Sequence, residues 1–173
     1  IRYSRPLLAY PCVSYVDAIV ARFLLTALTQ ILITVILIGG IIVVYDLTLS
    51  IDYISGARAL AMALALGVGV GMVNSYLSSM FPIWQFIWAV LNRPMFIISG
   101  VLFVIDFLPS KVRDLLLYNP MAHPIMMMRR GIYSTYEGTY ISEVYVYLVA
   151  LVLTALGMLL LNRHHATILD EGV

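Results

Sequence analysis

Charge is scarce in this chain. Asp, Glu, Lys and Arg make up 11% of its 173 residues, where a soluble domain needs about a quarter to cover its surface. With that composition most of the surface faces lipid or other helices. The net charge of +1 supplies no basic field for nucleic acid. One cysteine, Cys12, excludes an internal disulfide. The three histidines, His123, His164 and His165, have no partners at metal-ligand spacing. There is no Gly-rich phosphate loop of the GxxxxGK[ST] kind, so ATP is not bound and split here by that route. No segment alternates polar and apolar residues over about ten positions, as a membrane strand would.

What is present is apolar: 62% of residues are hydrophobic. A helical span needs about 20 apolar residues to cross the hydrocarbon. Residues 23 to 45 meet that without a charge, and Asp46, Asp52 and Arg58 mark the loop that follows. Residues 59 to 92 are again free of charge, with Pro82 as the natural break. A second span is expected from about 59 to 81 and a third from 83 to 105, the latter interrupted by Asn92-Arg93-Pro94. The fourth runs from 144 to 161 and stops at Asn162-Arg163-His164-His165. Backbone in lipid must satisfy its own hydrogen bonds, so the spans read as helices and the fold as an all-α integral membrane protein. The first residue is Ile1 rather than Met, and the chain is expected to be part of a longer protein.

The second span carries small residues every fourth position: Ala59, Ala63, Gly67, Gly71, Ser75 and Ser79. Such a stripe lets another helix approach closely, either within the chain or in a second subunit. Arg2, Arg5, Arg22 and Arg163 flank the ends that four spans put on one side, which fits a cytoplasmic placement. Lys111, Arg113, Arg129 and Arg130 then lie opposite, and charge counting does not decide the orientation.

Residues 106 to 142 are too polar to span and too apolar for a free loop. A short helix is expected at Pro109-Ser110, with Ser as the cap, and Asn119-Pro120 should end it because the residue before proline leaves the helical region. A second short helix follows, with Met121, Ile125 and Met128 on one face. This pair either dips into the membrane as a pore mouth or lies as an amphipathic hairpin at the headgroups.

Arg93 is the sharpest residue. A charge near mid-span costs at least roughly 2.5 kcal/mol, so it should face water or a partner, and Pro94 beside it frees a carbonyl and kinks the helix. Arg93 either lines a conduit and meets anionic groups, or holds carbonyls at the kink. Trp84, Trp88 and the tyrosines at 133, 136, 140, 145 and 147 read as interfacial belts. Trp84 and Tyr136 are the two singled out as exceptions to that belt.

The run "RPMFIISGVLFVIDFLPSKVRDLLLYNPMAHPIMMMRRGIY" (93 to 133) resembles the signature region of ABC type-2 permeases, most closely the capsular and O-antigen polysaccharide exporters. The matching positions are Arg93-Pro94, Ile98-Ser99-Gly100, Leu108-Pro109, Asn119-Pro120, His123 and Arg129. Upstream, "YPCVSYVDAIVAR" (10 to 22) resembles the cytoplasmic loop and helix entry of the same family through Pro11, Asp17 and Ala21-Arg22. One departure stands out: where the family commonly has an acidic residue between the His and the Arg, this chain has Ile125-Met126-Met127-Met128.

The resemblance implies the last four helices of a six-helix permease plus a re-entrant pair of short helices. Residues 1–173 would form a single transmembrane permease domain, with 1–20 a cytoplasmic coupling segment and 106–142 a periplasmic re-entrant segment. The expected function is ATP-driven export of lipid-linked capsular or O-antigen-type polysaccharide across the bacterial inner membrane. Alternatives are another cargo (a lipid, drug or small glycoconjugate) or an intramembrane transferase using His123. The chain itself would be no enzyme and bind no cofactor or metal. ATP and Mg would sit on a separate ATP-binding subunit docking at Arg5, Leu7, Leu8, Tyr10 and Val13, unless those residues merely lead into the first span. A second copy of the permease, membrane lipids and the polysaccharide or glycolipid complete the expected partners. The pathway residues would be Arg93, Trp84, Tyr136, Arg129, Arg130 and His123, with Asn119 and Pro120 as hinge and Ala63, Gly67 and Gly71 for helix packing.

Overall fold

The computed structural model describes residues 15–45, 51–133 and 135–163. The chain divides into two units, 1–49 and 50–173. The first contains one helix, α1 (Tyr15–Tyr45), of which Val20–Tyr45 is long and apolar enough to cross a membrane. Its threonines hide their hydroxyls on the helix itself: Thr26, Thr29 and Thr34 donate to the carbonyls of Arg22, Leu25 and Gln30 at 2.9, 2.7 and 2.8 Å. That is how a polar side chain is satisfied where no water reaches.

The second unit is built on two long helices, α2 (Tyr53–Met80) and α6 (Glu143–Arg163), both long and apolar enough to span. They run parallel: Arg58 pairs with Glu143 at 3.5 Å, Gly69 lies against Ala150 and Leu153, and Met72 lies against Gly157. The seam is a close one. A Cβ on Gly69 would sit 2.8 Å from the Ala150 carbonyl oxygen, and one on Gly157 would sit 2.6 Å from the Cβ of Met72. In lipid such backbone proximity supplies the dispersion contact that a hydrophobic drive supplies in water. Ala59, Met62 and Leu66 from α2 and Val146 and Ala150 from α6 complete the buried cluster. The seam therefore uses a face adjacent to the one expected from the small-residue stripe. Ala59 belongs to both, but Ala63, Gly67 and Gly71 are exposed, and nothing lies within 4 Å of a Cβ placed on either glycine.

Two parallel neighbours require the chain to return between them, and α3 (Trp84–Ile98) makes that return. It starts beside the far half of α2, where the Trp84 indole N–H donates to Asn74 Oδ1 at 2.5 Å. It ends at the side from which α2 started. Its 15 residues reach about 22 Å at 1.5 Å per residue, short of the roughly 30 Å of hydrocarbon. The third span expected over 83–105 is thus cut at Ile98. The cause is local: Ser99 turns its hydroxyl onto the Phe96 carbonyl at 2.6 Å, and Gly100 takes a φ of +79°, a left-handed conformation that ends helices.

Residues 99–142 form a cap over the start of α2 and α6. A single 3-10 turn (Ile105–Phe107) leads to α4 (Ser110–Leu117) and α5 (Ala122–Ile132). The N-cap of α4 is Pro109, with no side-chain cap; Ser110 is already the first helical residue rather than the expected cap. Asn119-Pro120 does separate the two helices. Asn119 Oδ1 accepts the Met121 N–H at 3.1 Å, and the Asn119 carbonyl accepts that of Ala122 at 3.1 Å. The buried face of α5 is Ala122, His123, Pro124, Met126, Met127 and Gly131, not the face of Met121, Ile125 and Met128. Met126 packs with Ile105, Leu116 and Ala122, while Met127 joins the α2–α6 cluster. Adjacent unbranched side chains thus plug two different cores, a use that suits methionine's flexible thioether.

Candidate functional site

The cap is where most of the sequence-marked polar residues meet. Arg129 leaves the last turn of α5 and forks into the turn after α3. Nη1 donates to the Phe103 carbonyl at 3.0 Å; Nη2 donates to those of Gly100 and Val101 at 3.1 and 3.3 Å. A planar guanidinium suits this, since its two arms reach acceptors that one ammonium cannot span. The turn has lost its helical partners, so its carbonyls need donors. In this chain the hydrogen-bond partners of Arg129 are backbone carbonyls.

Beside it, the Tyr136 hydroxyl donates to Asp106 Oδ2. Burial, and then the hydrogen bond and charge of Asp106, push the Tyr136 phenol well above its ordinary value, with Arg129 pulling partly back. Arg129, Tyr136 and Asp106 therefore form one electrostatic group that fixes the 100–106 turn. Ile105 is fully buried beneath it, and a Cβ on Gly100 would sit 2.7 Å from the Ile105 Cδ1.

His123 is 3% exposed and has both ring nitrogens occupied. Nε2–H donates to the Leu117 carbonyl at 3.1 Å, and Nδ1 accepts the backbone N–H of Ser142 at 3.3 Å. These roles require the neutral ring protonated on Nε2. Burial pushes its pKa below 6.5, partly opposed by the bond to Leu117. Tyr145 meets the ring edge-on with centroids 5.6 Å apart and sends its hydroxyl to the Tyr118 carbonyl at 2.7 Å. His123 thus joins the end of α4 to the start of α6, and no nitrogen is left for proton transfer.

Arg130 is exposed and acts electrostatically on Asp52, the N-cap of α2. Asp52 accepts from Ile54 N–H at 3.0 Å and Ser55 Oγ at 2.6 Å, and the Ser55 bond chiefly lowers its pKa. Its own N–H donates to the Gly131 carbonyl at 2.8 Å. A Cβ on Gly131 would sit 3.0 Å from Gly56 N, so α5 is seated on the first turn of α2 backbone to backbone.

Arg93 stands apart. It is the single charge between Arg58 and Asp106, it is exposed, and no residue of α3 is buried. It makes no hydrogen bond or ion pair among the described residues. Pro94 sits inside the helix and leaves the Val90 carbonyl without its usual donor. The carbonyl-holding role considered for Arg93 is carried, one turn beyond the helix, by Arg129. Trp84 is at the opposite end of α3 from the cap, stacked on Trp88 at 6.5 Å. Phe81, Pro82, Ile83, Trp84 and Ile87 line an open apolar cleft of about 400 Å³ there. Arg5, Leu7, Leu8, Tyr10 and Val13 lie outside the described residues.

Sequence reasoning missed Asp106, Asn74 and the carbonyls of residues 100 to 103. Asn74 had a signal, as a polar side chain inside an apolar span. The carbonyls had none, because every residue carries one.

Long apolar helices, a short return helix whose Arg93 has no partner among the described residues, and a polar cap define a multi-pass membrane protein. The chain belongs to the ABC-2 type transporter family, whose family model matches residues 5–133. The match is to the membrane domain of such transporters. Among curated proteins it is similar to the capsule polysaccharide export inner-membrane protein CtrC of Neisseria meningitidis serogroup A, with 32% identity over 77 residues. That match covers 44% of this chain and 29% of the relative.

Proposed function

We propose that this chain is the permease of an ATP-driven exporter that carries lipid-linked capsular or O-antigen-type polysaccharide outward across the bacterial inner membrane. Membership of the ABC-2 family carries this reading, and the similarity to a capsule export protein supports the cargo class. The chain binds no nucleotide; ATP and Mg sit on a separate subunit that docks at residues 5 to 16. Two permeases form the functional unit, and the pathway runs between them. Membrane lipids cover the remaining apolar faces.

Within that pathway the best-supported residue is Arg93. A charge kept on an apolar helix with no partner among the described residues is best served by water, another chain or cargo. An anionic group on the passing glycolipid fits it. Trp84, stacked with Trp88, presents an aromatic face to sugar near the inner end. Arg130 faces the outer mouth, and His123, Arg129 and Tyr136 shape the cap around it, with Asn119-Pro120 as the hinge between its two helices.

The partnership is tested by expressing the full-length chain with the ATPase encoded beside it. Co-purification, with ATP hydrolysis dependent on the permease, is expected. A neighbour without a P-loop, or an ATPase that ignores the permease, contradicts it.

A further inference from the structure

Three features of α3 point the same way. No residue of the helix is buried among the described residues, so side-on packing against them does not fix its place. Its first turn is tied by the Trp84–Asn74 bond. Its far end is tied by Arg129, which grips the carbonyls of Gly100, Val101 and Phe103, with Tyr136 holding Asp106 a few residues on.

We propose that Arg129 is the positioning residue of α3: it fastens the exit turn of this helix to α5 and thereby sets where Arg93 stands, without itself meeting cargo. The proposal rests on the reading above that α3 lines the pathway. It moves Arg129 from the list of substrate contacts to the framework. Three of the five guanidinium N–H groups are spent on backbone carbonyls, one from Nη1 and two from Nη2, so an anionic cargo group that takes the whole fork would have to displace them. Arg93, on α3 itself, makes no such bonds among the described residues. The two arginines therefore have separate duties, one open to cargo and one holding the helix that carries it. Because Arg129 and the buried Met126 and Met127 share α5, any movement of the cap must move the end of α3 with it.

The test uses the full-length chain with its ATPase in membranes, with Cys12 and every other cysteine of the full-length chain replaced by Ser as background. A nitroxide is placed either at Phe96→Cys on α3 or at Val152→Cys on α6. Arg129→Gln and Arg129→Lys are expected to lose export alike, because lysine cannot reproduce the fork. The label at 96 should gain mobility in both, while the label at 152 keeps its spectrum. Tyr136→Phe, a milder loosening of the same turn, should mobilise position 96 alone. Export retained by Arg129→Lys overturns the proposal, since a simple charge would then suffice. So does an unmoved label at 96 in Arg129→Gln, or both labels loosening together in every variant. If the labels behave as expected but Arg93→Met exports normally, the pathway reading fails and the clasp stands.

Discussion

Gly157 of α6 lies so close to Met72 of α2 that a Cβ on the glycine would sit 2.6 Å from the Met72 Cβ and 3.0 Å from its carbonyl carbon. Neither atom is the free end of a flexible side chain, so the two helices would have to part. Gly157→Ala is expected to destabilise the α2–α6 pair by roughly 1–3 kcal/mol, as overpacking does elsewhere. Gly67→Ala and Gly71→Ala should not, since both positions are open. Thermal unfolding in detergent separates these outcomes. If the outer glycines prove as sensitive as Gly157, the seam has been placed on the wrong face.

His123 gives the cap a pH dependence of defined sign. Its folded pKa lies below 6.5, so the unfolded chain takes up the proton first as pH falls. Stability is then complete above about 6.5 and declines below it until the folded ring also protonates. Protonation turns Nδ1 into a donor and cancels the bond from Ser142. The wild type should lose thermal midpoint between about pH 7 and 5 relative to His123→Phe. The variant should be weaker at neutral pH, because the Ser142 N–H and Leu117 carbonyl lose their partner. Parallel pH curves for the two proteins would contradict this.

Arg93 should separate stability from transport. With no hydrogen-bond partner among the described residues, Arg93→Met is expected to leave the unfolding midpoint unchanged or raised while export falls. Arg93→Lys should keep export if the contact is a simple charge and lose it if the contact is forked. Normal export by Arg93→Met removes this residue from the pathway.

These outcomes also mark how much was legible beforehand. α1, α2 and α6 could be read because each holds close to 20 apolar residues between polar ends. Asn119-Pro120 could be read because proline restricts its predecessor. The end of α3 at Ile98 was hidden, since Ser99-Gly100 is a quiet stop inside an apolar run. The glycine seam was hidden for a different reason. Gly67, Gly69 and Gly71 alternate along α2, and only the facing Ala150, Leu153 and Thr154 of α6 select Gly69. Arg129 was visible as a charge, but its partners are carbonyls, which composition does not distinguish. A charge that serves cargo and one that serves backbone carry the same signature in the sequence, at Arg129 and at Arg93 alike.

Outward movement of polysaccharide is tested most directly by deletion of the gene with localisation of the polymer. Polymer is expected to accumulate in the cytoplasm and to return to the surface when the wild-type chain is restored, but not when Arg93→Met is. Normal surface polymer in the deletion strain would contradict the account.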